Sequence, residues 1–126
     1  MRNLEKKNSI NKEMIKGSTE LLVLKVLSEK NMHGYEMIKV IEEQSSGKFA
    51  IKAGTLYPVL HALEKMGAIT GEWNQINGER KRKIYKLSEL GKSQLKEKES
   101  EWVEYSTTIN SVLKGKKLSE GYAYGC

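Results

Sequence analysis

Apolar residues recur at helical spacing along most of this chain. They switch to strand-like alternation briefly at Lys48 to Lys52 and again between Ile69 and Leu87. Met14, Leu21, Leu24 and Leu27 can share one helical face, widened by Leu22, Val23 and Val26, which predicts a helix from about Asn11 to Glu29. Gly17 inside it costs ~1 kcal/mol relative to alanine and marks either a break or a close approach of backbone or ligand. Asn31-Met32-His33-Gly34 interrupts the period and offers turn and capping groups. A second helix follows from about Gly34 to Gln44, with Tyr35, Ile38 and Ile41 expected towards the core, and Ser45-Ser46-Gly47 ends it. The KFAIK stretch at Lys48 to Lys52 reads as a short extended segment.

A third helix starts close to Gly54, because Pro58 lacks a backbone donor and is best tolerated near a first turn. Leu56, Val59, Leu60 and Leu63 stand at i, i+3, i+4 and i+7 and form its buried stripe. Thr55, Tyr57, Pro58, His61, Ala62 and Lys65 then face outward. Two strand-like runs follow, joined at Asn77-Gly78, a pair suited to the positive φ angles of a type I′ hairpin turn. On one face of this hairpin Trp73, Tyr85 and Leu87 alternate inward. After Ser88 a long helix begins, with Glu89 favourably placed for the helix dipole. Leu95, Trp102 and Ile109 recur every seven residues along it, with Tyr105, Val112 and Leu113 between them. So narrow a seam on so long a helix calls for a second copy of the chain, although folding back on its own core is the alternative.

Helix, helix, helix, strand, strand is the order of a winged helix-turn-helix. The expected class is α+β, mostly α, with an N-terminal arm at 1–10, the winged domain at 11–88, a dimerisation helix at 89–114 and a disordered tail at 115–126. At 126 residues the chain has room for one ordinary domain. Lys plus Arg outnumber Asp plus Glu by 22 to 16, giving a net charge of +6, which fits a nucleic-acid partner. Arg80, Lys81, Arg82 and Lys83 crowd beside the hairpin turn, and Arg80 and Arg82 are two of only three arginines in the chain. Arginine's planar fork grips phosphate at two points and fits the minor groove, so its placement here is more specific than a lysine run. A solvated charge run is the alternative reading.

Other chemistries find little support. No run approaches the length of a membrane span and no signal peptide is evident, so a cytoplasmic protein without a membrane partner is expected. Aspartate is absent, the two histidines lie in different elements, and the one cysteine is Cys126, so no metal site, cofactor or catalytic constellation is expected.

His33-Gly34-Tyr35, Gly54-Thr55-Leu56-Tyr57-Pro58, Leu63-Glu64-Lys65-Met66-Gly67 and the run Arg82 to Ser88 with Gly91 together resemble the PadR family of bacterial transcriptional regulators, over about Asn11 to Leu113. The short C-terminal helix resembles the family's compact branch. Asn11 to Lys16, Leu21 to Leu27 and Glu99-Ser100-Glu101-Trp102 resemble its multidrug-responsive repressors. In those relatives the dimer leaves a central pore where paired tryptophans clasp flat aromatic drugs. The resemblance implies Trp102 as the matching tryptophan, with Met14, Gly17, Leu21, Lys98, Glu99 and Ser106 as lining. Lys98 and Glu99 depart from apolar positions there, and His61-Ala62 departs from the basic pair common in the recognition helix.

The expected function is therefore a homodimeric repressor that is not an enzyme. Thr55, Tyr57, His61 and Lys65 would enter the major groove of a near-palindromic double-stranded operator, with Arg80 to Lys83 on phosphate or minor groove. Planar cationic aromatics held at Trp102 beside Glu99 would relieve repression. Two rivals use the same residues: a winged-helix module that binds protein, and a drug-sequestering protein without an operator.

Overall fold

The computed structural model describes residues 11–75, 78 and 80–115. The expectations for an N-terminal arm and for the tail beyond Gly115 lie outside the described residues, as does Asn77. Helix α1 runs Lys12–Glu29, followed by strand β1 at Met32–His33 and helix α2 at Gly34–Gln44. Helix α3 spans Ala53–Lys65, strands β2 and β3 span Ile69–Asn74 and Arg82–Leu87, and helix α4 spans Glu89–Lys114. The chain divides into two compact units, one ending at Leu95 and the other beginning at Lys96.

The first unit is a winged helix-turn-helix. Val23 and Leu24 of α1, Met37 of α2, Leu56, Leu60 and Leu63 of α3, and Ile69 of β2 are sealed from solvent and make one core. Along α1 the buried stripe is Ile15, Thr19, Val23 and Val26 with Leu24 and Leu27 beside it, whereas Met14 is exposed. Thr19 enters the core because its hydroxyl donates to the Ile15 carbonyl at 2.6 Å, which satisfies the one polar group that burial would orphan. The helix runs unbroken through Gly17.

Helix α2 departs from the expected core face at Tyr35, whereas Ile41 is buried and Ile38 packs against the core as expected. Its buried positions are Gly34, Met37 and Ile41, which puts Tyr35 one step around the helix and leaves it 62% exposed. The stripe begins at the glycine because the Tyr57 hydroxyl occupies the space where a Gly34 side chain would start. His33 caps the helix, its Nδ1 accepting the Glu36 amide at 3.2 Å.

Helix α3 ends in a Schellman motif. The Ala68 amide reaches the Leu63 carbonyl at 2.9 Å and the Gly67 amide the Glu64 carbonyl at 3.0 Å, with Gly67 at φ +85. Pro58 lies past the first turn and within the helix, so it removes one internal bond there. Lys48 to Lys52 form no strand, and Phe49 and Ile51 instead anchor that connection to the core. The third strand of the sheet is β1, and the order is β1-β3-β2, antiparallel throughout. Met32 pairs with Tyr85 and His33 with Ile84.

The hairpin register pairs Ile69 with Leu87 and ends at Asn74 opposite Arg82. Gly78 lies between the two strands at φ +74. Ser88 then starts α4. Its hydroxyl accepts the Gly91 amide at 3.0 Å and donates to the Gly67 carbonyl at 2.6 Å, tying the helix start to the end of α3.

Candidate nucleic-acid interface

Burying Leu56, Leu60 and Leu63 fixes the rotation of α3 and so decides what it shows to solvent. Tyr57, His61 and Lys65 follow one another at four-residue intervals along its exposed side, with Pro58 and Ala62 also exposed and Thr55 half-buried. Among the described residues this is a row of one phenol, one imidazole and one ammonium. The Tyr57 ring leans onto Gly34 of α2 and stays 44% exposed, while His61 and Lys65 are exposed further along the same helix. Beyond it stands the wing, where Gly78, Arg80, Lys81 and Arg82 are exposed.

Strand alternation splits the basic run. Tyr85 and Leu87 are buried, so Lys83 shares their face, and Arg82 points to the other. Lys83 therefore does not join Arg80, Lys81 and Arg82 in an outward row. Its ammonium donates to Glu64 Oε1 of α3 at 3.0 Å. The ammonium also lies 5.8 Å from the centre of the Trp73 ring and 5.5 Å from that of Tyr85. The hydrogen bond to Glu64 holds the Lys83 ammonium above its ordinary pKa, outweighing the opposite effect of burial. Burial pushes the Tyr85 phenol up, with the Lys83 charge opposing it.

Trp73, expected to turn inward, is 65% exposed. It does lie on the inward face, directly opposite Lys83, but the core ends at Gly71 and Tyr85, and the ring lies beside the Lys83 ammonium. Arg82 Nη1 approaches His33 Nε2 at 3.3 Å. His33 Nδ1 accepts from the Glu36 amide, so a neutral ring carries its proton on Nε2, and Arg82 makes a close contact there rather than a strong hydrogen bond.

The residues expected to line a ligand site fall in both units. In the first, Met14 and Gly17 are exposed and Leu21 is half-buried on α1. In the second, Glu99 and Trp102 are exposed and Lys98 and Ser106 half-buried on α4, with the Trp102 and Tyr105 rings 6.0 Å apart. The expected seam is also divided. Leu95 packs against the core of the winged unit, whereas Trp102, Tyr105, Ile109, Val112 and Leu113 are all exposed. Among the described residues no cluster of His, Cys, Asp and Glu could hold a metal ion, and no helix is long and apolar enough to cross a membrane.

The model of the transcriptional regulator PadR-like family matches residues 23–97, more than half of the chain, from within α1 to the first turns of α4. The chain belongs to the PadR-like family. A Lysinibacillus sphaericus protein described as uncharacterized protein X is 32% identical to it over 106 residues, 84% of this chain and 97% of that one. A transcriptional regulator from Clostridium thermocellum has a similar structure, with 30% identity and a TM-score of 0.74, over 86% of this chain and 99% of the other. A PadR family regulator from Eggerthella lenta gives 29% identity and a TM-score of 0.73, over 82% and 88%. The Clostridium and Eggerthella proteins are described as transcriptional regulators, and the PadR-like family is one of transcriptional regulators rather than enzymes.

Two participants in this PadR-like surface escape a reading of the sequence. Glu64 looks like an ordinary surface carboxylate on α3, and Gly71 like a weak point in β2. An isolated glycine within a strand does signal close approach of another group, and here that group is the Lys83 stem.

Proposed function

We propose that this PadR-like regulator is a homodimeric repressor that binds a near-palindromic DNA operator. The observation that carries the reading is the exposed row Tyr57, His61 and Lys65 on α3 in the same compact unit as the exposed wing residues Arg80, Lys81 and Arg82. Tyr57, His61 and Lys65, with Thr55 at the start of the helix, would meet base edges and phosphates in the major groove. Arg80, Lys81 and Arg82 would grip phosphate or the minor groove. Two protomers joined through Trp102, Tyr105, Ile109, Val112 and Leu113 would set their recognition helices about one helical turn apart, roughly 34 Å. Such a protein works in the cytoplasm, where it meets its operator.

Relief of repression follows from the same assembly. A planar cationic aromatic ligand stacked on Trp102, with Glu99 supplying negative charge, would favour a protomer arrangement less suited to the operator.

The direct test selects bound duplex from random DNA and then measures affinity for the selected site over a range of salt. A two-fold symmetric site and a steep loss of affinity with salt are expected. Replacing both Arg80 and Arg82 by alanine should weaken binding across sequences and lower the salt slope by about 0.9 for each phosphate left unneutralised. No enrichment of any duplex, or affinity indifferent to salt, would favour a protein-binding module instead.

A further inference from the structure

The face of the wing that turns towards α3 carries a built arrangement that base or phosphate contact does not explain. Lys83 of β3 reaches Glu64 of α3 across 3.0 Å, and the two side chains are only 27% and 31% exposed. The lysine stem lies flat over β2: a side chain begun at Gly71 would meet its Cε at 2.6 Å and its Cγ at 3.2 Å. Trp73 and Tyr85 flank the ammonium with their rings. Lys83 is thus seated by a glycine, two aromatic rings and a carboxylate drawn from three elements, and its charge is already engaged.

We propose that Glu64 and Lys83 form a latch that fixes the wing at one angle on the recognition helix, so that both residues strengthen operator binding without touching DNA. Lys83 is a positioning residue. Its neighbours Arg80, Lys81 and Arg82 meet the duplex, and the latch determines where they fall relative to Tyr57 and His61. The effect on DNA rests on the operator-binding reading given above, but the latch itself does not.

The sign of the Glu64 effect separates this arrangement from simple electrostatics. Glu64 is an acidic residue near a surface that meets a polyanion, so removing its charge should tighten binding if charge alone mattered. The latch requires the opposite. Glu64→Gln should bind the selected operator about threefold to fivefold more weakly, the range expected for loss of a partly exposed ion pair. Lys83→Met keeps the stem over Gly71 and should give a similar loss while leaving the salt slope unchanged. The double variant should be no worse than either single one, because both remove the same interaction.

A second measurement needs no DNA. Hydrogen exchange of the free full-length protein should quicken at residues 72–74 and 82–84 in Glu64→Gln and stay unchanged in α1, which separates a loosened wing from global destabilisation. Tighter operator binding by Glu64→Gln, a salt slope lowered by about 0.9 in Lys83→Met, or unchanged exchange at the wing would each overturn the latch. Faster exchange at the wing in a protein that binds no duplex at all would leave the latch standing and remove the operator-binding reading instead.

Discussion

Arg82 and Lys83 are neighbours of like charge with opposite surroundings. Arg82 stands outward beside His33, whereas Lys83 is bound to Glu64 beneath the wing. The pleat of β3 alone separates them, since successive side chains leave a strand on opposite faces. The two tryptophans differ for a comparable reason. Trp73 lies against the Lys83 ammonium, and Trp102 is half-exposed beside Tyr105 on a helix that buries nothing but Gly91. A planar cationic dye should therefore quench Trp102 at one dye per dimer, leaving Trp73 as a constant background. Trp102→Ala should weaken dye binding about tenfold or more, the scale of a desolvated cation–π interaction. A dye that binds equally well without Trp102 would remove the ligand-sensing part of the proposal and leave a DNA-binding repressor of another signal.

At the scale of elements, α3 and α4 carry their apolar residues to different ends. The α3 stripe is consumed inside its own unit, where Leu56, Leu60 and Leu63 are sealed by α1, α2 and β2. On α4 only Leu95 reaches that core, and the apolar positions from Trp102 to Leu113 remain exposed within the protomer. An exposed apolar seam of this length is a dimerisation surface in the proposed assembly. Sedimentation at micromolar concentration should accordingly show a dimer for the full chain and a monomer for a chain ending at Leu95. The shorter chain should keep its helical circular dichroism from α1 to α3, because the winged core is intact, and should bind the operator more weakly, having only one half-site to hold. A monomeric full-length protein would contradict this.

For the whole molecule, the latch couples wing, recognition helix and stability to alkaline pH. Hydrogen bonding to Glu64 raises the folded pKa of Lys83 above its unfolded value, so its stabilisation is complete below about pH 10.4 and is lost as pH rises through the folded value. Tyr85 acts in the same direction. Burial favours its neutral form, the unfolded chain ionises first, and stability falls above about pH 10. Urea midpoints measured from about pH 8 to 11 should be flat at first and then decline. Lys83→Met and Tyr85→Phe should each make that decline shallower. An unchanged decline in both variants would place its origin elsewhere in the molecule.

Sequence periodicity by itself determined the order of three helices, a hairpin and a long helix, the buried stripe of α3 and the start of α4 after Ser88. These depend on residues three or four apart, or on a cap beside its own helix, and such relations survive without a partner element. Tertiary structure decided the rest. A two-residue strand such as β1 has no period to read and exists only because β3 offers its edge. The inward face of the hairpin could be read at Trp73, but its burial could not, because the core stops one pair short of it. Tyr35 lost its place in the core to Gly34 because Tyr57, far along the chain, fills the space. Glu64 and Lys83 meet across nineteen positions. Alternation tells which residues share a face, whereas only packing tells which part of that face another element covers.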